Sequence, residues 1–322
     1  MRHKRCILAI ALAVVLVFTT TAGAAKRPTT VAELALYRGA DRQQILEEGA
    51  KKEGKLQYYT TSVMAGALAP FMDLFQKKYP YIKLVKWRAD SRRVARKIME
   101  EYHAGRHVVD VIEATQLGIL PLKEKGIFQP FYSPGLANIN EEAITRAPGG
   151  DAFSVAFRIH GISLGYNTKL MTREEAPQTY QDLLDPKWKG KMAITTSGTT
   201  VSWMGTMYKF LGEEFVKKVA QQNFDIHAIS GRTLLDLVIS GEYSCAPTIF
   251  GSQVAKSRKK GAPIDWVPLE PVHVNTTSIA LPKHSSHPHA AMLLVDLTFS
   301  KEMAEIQKVN GYTPTHKDFP SE

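Results

Sequence analysis

The chain has 322 residues, more than one ordinary domain and enough for two lobes of about 100–150 residues each. Hydrophobic residues make up 44% and charged residues 22%, values that exclude wholesale disorder, and no repeat or low-complexity tract is visible. The formal charge is +10; Arg2, Lys4 and Arg5 supply three of these charges, so the chain after residue 24 carries +7.

The N-terminal stretch has the layout of a secretory signal peptide. Arg2 to Arg5 form a basic head, residues 7–18 an apolar run, and Ala22-Gly23-Ala24 a small-residue cleavage site. Bilayer spanning takes about 20 apolar residues, so the run is too short to be an anchor. Cys6 lies at the start of the run, not at a cleavage site, so no lipid anchor is expected. The expected product starts at Ala25 and is free in a periplasm. Its one cysteine, Cys245, allows no internal disulfide. Export makes nucleic acid a poor partner for the positive charge. An anionic ligand and solvated basic faces both account for it.

After the signal, residues 31–53 read as a helix that Gly54 ends, followed by a strand over 55–60. Leu68, Phe71, Phe75 and Tyr79 mark a helix that Pro80 stops. Residues 82–87 form a second strand, Val94, Ile98 and Tyr102 the buried side of a helix, and 108–113 a third strand. Thr115 then starts another helix that closes at Gly126. Two strand-like segments, 153–158 and 162–166, flank His160-Gly161. A strand over 192–195 leads into a helix carrying Val201, Met204, Tyr208 and Leu211. Residues 234–240 are helical, 243–249 extended and 277–281 a strand, with helices over 289–299 and 301–309. Alternating strands and helices imply an α/β protein with a mainly parallel sheet in each lobe.

Ligands bind such sheets at the carboxyl ends of the strands. On the first lobe the loops there carry Thr61, Ser62, Ser91, Arg92 and Thr115; on the second, Thr196, Ser197, Thr199 and Thr248. Each of these loops precedes a helix, whose free N–H groups and positive dipole end suit an anion. The same Ser and Thr residues also suit plain helix caps. Arg158 lies on the linking segment, where an anion anchor and a salt bridge to a hinge carboxylate both fit.

The order of several segments resembles the type II periplasmic solute-binding proteins, in the branch that includes ferric-iron-binding proteins. These segments are GKLQYYTTS (54–62), FQKKYPYIKL (75–84), DVIEA (110–114), GISLGYNTKL (161–170), PQTYQDLLDPKWKGKMAI (177–194), SGEY (240–243) and GAPIDWVPLEP (261–271). The resemblance implies a two-lobed fold with a hinge of two or three strands and a cleft that closes on its ligand. It also implies delivery of that ligand to an ABC permease in the inner membrane. The domains expected from it are a signal peptide (1–24), an N-terminal arm (25–54), lobe 1 (55–158, with 273–322 returning to it) and lobe 2 (159–272). A monomer is expected, with no catalysis, no cofactor and no resident metal.

Iron-binding relatives carry adjacent tyrosines seven to ten residues after this Gly-Glu. Here Gly241-Glu242 is followed at that distance by Ile249-Phe250, which offers no donor for a hard ferric ion, while Tyr243 reads as strand core. A small anionic solute is therefore the expected ligand, and ferric iron the alternative. An exported hydrolase or transferase on the same fold, with His160 or His227 as base, is the reading from another class. A signalling receptor subunit would share the cleft. His284, His287 and His289 read as an exposed loop with no acidic neighbour in sequence. Lys256, Arg258, Lys259 and Lys260 read as a solvated helix face, and Trp87, Trp188, Trp203 and Trp266 as packing. No nucleophile elbow, phosphate loop or paired metal-ligand helix is present.

Overall fold

The computed structural model describes residues 27–62, 64 and 68–319; the signal-peptide expectation lies outside them. The N-terminal arm is two helices, α1 (Val31–Leu36) and α2 (Arg42–Glu53), where the sequence pattern read as one. The break has a local cause. Thr30 and Glu33 form a capping box for a short first helix, and the backbone at Tyr37 turns extended. Gly54, at φ 63°, ends α2 in the left-handed conformation that favours glycine.

Strand β1 (Lys55–Thr60), helix α3 (Ala69–Lys78), β2 (Lys83–Arg88), α4 (Ser91–His103), β3 (Val111–Thr115) and α5 (Gln116–Glu124) follow the expected alternation. β1 pairs in parallel with both β2 and β3. Both faces of this sheet are covered, so adjacent residues serve different cores. Tyr58 and Val111 join the cluster under α2, α3 and α10, and Tyr59 and Ile112 join the one under α4 and α5. Here α10 spans Pro288–Thr298 and is almost wholly buried.

After the short strands β4 (Phe128–Gln129) and β5 (Ile144–Arg146) comes β6, Ala152–Asn167, 16 residues without a break. The expected interruption at His160-Gly161 is absent because β11 (His273–Pro282) pairs straight through it, His160 with Asn275 and Gly161 with Val274. The remaining elements are β7 (Ala193–Thr195), α6 (Gly198–Leu211), α7 (Glu213–Ala220), β8 (Asp225–His227), α8 (Gly231–Ser240), β9 (Cys245–Phe250), α9 (Gly251–Arg258), β10 (Ile264–Val267), α11 (Lys301–Val309) and β12 (Thr313–Pro314).

The sheet order is β10-β6-β11-β3-β1-β2, with β9 also on β6. The parallel ladders are β2-β1-β3 and β7-β8; the long strands β6 and β11 add antiparallel ones. β6 and β11 thus run from one lobe's core to the other. Val155 and Ile279 belong to the first lobe's core, and Leu164 sits with Trp203 and Cys245 in the second. A register shift at Thr277/Ser278, opposite Arg158 and Ala156, marks the crossing. Trp188 and Trp203 are core, as expected. Among the described residues no helix is long and apolar enough to cross a membrane.

Candidate functional site

The helix starts at the carboxyl ends of the strands are not equivalent. α4 is capped by Asp90, whose carboxylate accepts from the N–H groups of Arg92 and Arg93 at 3.1 Å. α8 is capped by Ser230, which accepts from Thr233 N–H at 3.1 Å. Each thus has part of its orphan donors satisfied, and at α4 a negative charge already occupies the pole. The N-caps of α5, α6 and α9 are Thr115, Ser197 and Phe250, and none makes a side-chain cap.

The first turns of α5 and α6 meet across the two lobes. Leu117 Cδ1 lies 2.6 Å from where a β-carbon on Gly198 would sit. A side chain at position 198 would require the tip of Leu117 to move aside. Two uncapped helix starts, one from each lobe, therefore converge on one place, and their N–H groups and dipoles favour an anion.

The predicted contacts divide between this place and the interior. Thr115 and Ser197 are the two facing N-caps. Ser197 Oγ bonds Thr195 Oγ1 at 2.7 Å, and Thr195 Oγ1 also meets Thr200 Oγ1 at 3.3 Å. Thr196 is exposed and Thr199 partly so, both in the same turn. Ser91 is buried and ties α4 to β3, with its Oγ 2.8 Å from Thr115 Oγ1 and accepting from Thr115 N–H at 3.2 Å. Thr61 is half-buried, its N–H donating to the Glu113 carbonyl at 3.2 Å. Arg92 is exposed, with no side-chain partner among the described residues. Thr248 is 2% exposed and its hydroxyl has no partner there.

Ser62 and Arg158 do something else. The Arg158 guanidinium, buried at the crossing of β6 and β11, is ion-paired with Glu113 on β3. This is the hinge-carboxylate pairing that competed with the anion-anchor reading. Ser62 Oγ, Thr60 Oγ1 and Tyr58 Oη also donate to the Glu113 carboxylate. Arg158 donates to Ser62 Oγ as well. Glu113 thus gathers β1, β3 and β6 at one buried point. Burial and the neighbouring Glu113 charge push the Tyr58 phenol well up, so it stays a donor. The sequence reading treated Glu113 as a strand end; a lone acidic residue closing an apolar strand was the available signal.

The histidines of the enzymatic reading are held in packing. His227 Nε2 lies 2.8 Å from Tyr243 Oη, which donates to Asp225 at 2.6 Å. His160 packs edge-on to Phe250 and Tyr312, and burial with the nearby Arg158 charge pushes it down to about 3. Neither ring hydrogen-bonds a serine, threonine or cysteine hydroxyl or thiol among the described residues. Cys245 is buried and its thiol pushed up to about 12, so it is inert. The histidine loop does find acids in space: His287 bonds the buried Asp110 at 2.8 Å and His289 bonds Glu53 at 2.6 Å. These contacts anchor the start of α10 and correct the reading of a free loop. No group of three His, Cys, Asp or Glu suited to a metal occurs among the described residues. Ile249, at the aligned phenolate position, is 0% exposed in the core.

Comparison with known proteins agrees with this architecture. The sequence model of the bacterial extracellular solute-binding proteins matches residues 110–322. Iron uptake protein A1 of Synechocystis is 26% identical over 208 residues, covering 59% of this chain and 56% of that protein. The chain spans somewhat more than half the length of the curated relatives it matches. Iron-bound HitA from Pseudomonas aeruginosa superposes with a TM-score of 0.71 at 20% identity, covering 83% of this chain and 88% of that one. The periplasmic binding protein AfuA from Actinobacillus pleuropneumoniae, with fructose-6-phosphate bound, gives 0.71 at 23%, covering 84% and 87%.

Proposed function

We propose that this chain, which belongs to the bacterial extracellular solute-binding proteins, is the periplasmic capture subunit of an ABC importer and holds a small anionic solute between its lobes. The observation that carries the anionic class is the meeting of two uncapped helix starts, α5 and α6, at the Leu117–Gly198 contact. The lobes are divided as 55–158 with 273–322, and 159–272. The protein is exported by a signal peptide cleaved after Ala24, works as a monomer and hands its ligand to an inner-membrane permease without chemistry.

The contacts proposed on the first lobe are Thr115, Thr61 and the free guanidinium of Arg92. On the second they are Thr196, Ser197, Thr199 and Thr248. A micromolar affinity needs about 8 kcal/mol. A charge-assisted hydrogen bond supplies about 1.5–3 kcal/mol, and a partly buried helix start up to about 2. Two helix starts, the hydroxyls and one arginine approach that sum, and burial on closure supplies the remainder. Both Arg158 and Ser62 support the site from behind, because Glu113 has neutralised the one and engaged the other.

The test begins with native mass spectrometry of gently purified protein, to identify the solute that travels with it. Calorimetry then compares wild type with Gly198→Val. The added side chain meets Leu117 and opposes closure; overpacking of about 1–3 kcal/mol lowers affinity roughly ten- to a hundredfold. Adding Leu117→Ala restores part of it. Unchanged affinity in Gly198→Val would place the ligand elsewhere.

A further inference from the structure

A cavity of ≈ 260 Å³ opens on the first lobe, and none of its lining residues belongs to the interlobe set described above. Its open apolar lining is Pro134, Leu136 and Ala137, with Phe131, Ile139 and Ala152 buried behind them. Its wall is a run of charges from three distant parts of the chain. Arg38 donates to Asp151 at 2.6 Å. Arg146 grips both oxygens of Glu141, at 2.6 and 2.7 Å. Lys317 donates its Nζ to the Ala137 carbonyl at 2.7 Å on the same wall.

These charges form one alternating series. Asp151 as well as Glu141 raises the Arg146 pKa. The Arg146 hydrogen bond holds Glu141 below the usual carboxylate range, and Lys317 adds to the effect. The spatial order is Arg38, Asp151, Arg146, Glu141, Lys317. Three cations and two anions leave one positive charge beside the apolar lining of Pro134, Leu136 and Ala137. A cavity of this size displaces about eight or nine waters, at ~30 Å³ each, which is room for an organic molecule of about ten non-hydrogen atoms.

We propose that this cavity is a second binding site, for a small monocarboxylate whose apolar body rests on Pro134, Leu136 and Ala137 while its charge completes the series ending at Lys317. Two features support an occupant over a chance hollow. The surplus charge arises only because the C-terminal segment returns to residues 137–140, where Lys317 N–H donates to the Asn138 carbonyl and His316 bridges Ile139. A single carboxylate both neutralises it and leaves the two internal ion pairs intact. An occupant also braces three segments that the sequence keeps far apart, so it raises the melting temperature of the protein.

The probe is 4-fluorobenzoate, followed by fluorine NMR on the purified protein, with 4-fluorobenzamide as its uncharged counterpart. Saturable binding of the acid, with the amide about fivefold weaker or worse, is expected from one partly exposed charge pair. Lys317→Ala, an exposed position, should abolish that preference for the acid. Ala137→Trp, which fills the cavity mouth, should abolish binding of both. Gly198→Val, at the interlobe contact, should bind the probe as wild type does, which separates this site from the cleft. No saturation of the acid by about 10 mM, weaker than the ~4 kcal/mol of a millimolar site, would overturn the proposal. So would equal affinity for acid and amide, or an acid preference that survives Lys317→Ala.

Discussion

The Glu113–Arg158 pair carries a sharp energetic prediction. Glu113 is 1% exposed and Arg158 4%. Removing one member of a buried ion pair leaves an uncompensated charge and costs about 3–5 kcal/mol. The two members are not equivalent. Without Arg158, the Glu113 carboxylate keeps three hydroxyl donors, from Tyr58, Thr60 and Ser62. Without the Glu113 charge, the guanidinium keeps one hydrogen bond, to Ser62, beside the rings of Phe157 and Tyr312, and its Nε is already without a hydrogen-bond partner among the described residues. Glu113→Gln should therefore cost more than Arg158→Met, with the former near 5 kcal/mol and the latter near 3, as rough values. The double variant removes both charges, so its cost should fall at least about 2 kcal/mol short of the sum. Urea unfolding at pH 7 measures this, provided the denaturant slope is the same in all four proteins. Costs that add to within about 0.5 kcal/mol would show that the two groups do not act as a buried pair.

Acid sensitivity follows from His273, which is 6% exposed, bonded to Thr206 at 2.8 Å, and pushed down to about 4 by burial. The folded state refuses a proton that the unfolded chain accepts below about pH 6.5, so stability is full above that pH and falls toward pH 4. The loss is about 2 kcal/mol at pH 5; His273→Gln should flatten the curve by that amount, and an unaltered curve would refute the assignment. Ferric citrate should give no strong phenolate charge-transfer band with the apo-protein, because Ile249 and Phe250 stand at the phenolate positions; a band saturating at one equivalent would reverse that reading. Secreted protein should have an intact mass that begins at Ala25, and retention of Met1 would contradict export by cleavage.

The local signals in the sequence were strong where neighbours in the chain decide the conformation. The period of Phe71, Phe75 and Tyr79, the stop at Pro80, and the left-handed glycines at 54 and 241 located their elements closely. The same signals failed where a distant strand decides. His160-Gly161 looked like an interruption, yet β11 holds both residues in an unbroken strand. Helix α7 and strand β10 went unread, since each is short.

The sequence by itself determined an α/β chain with hydroxyl-rich turns where strands end and helices begin, because periodicity and capping chemistry act over a few residues. Which of those turns remain open was a tertiary matter. Asp90 closes one helix start from the adjacent position, whereas Thr115 and Ser197 leave theirs open and are brought face to face only by packing the lobes through Leu117 and Gly198. Arg158 was visible as a lone charge on a linking strand, but its partner lies 45 residues earlier. A buried charge must be compensated, and the compensating group is chosen by sheet order, which places β3, β11 and β6 side by side.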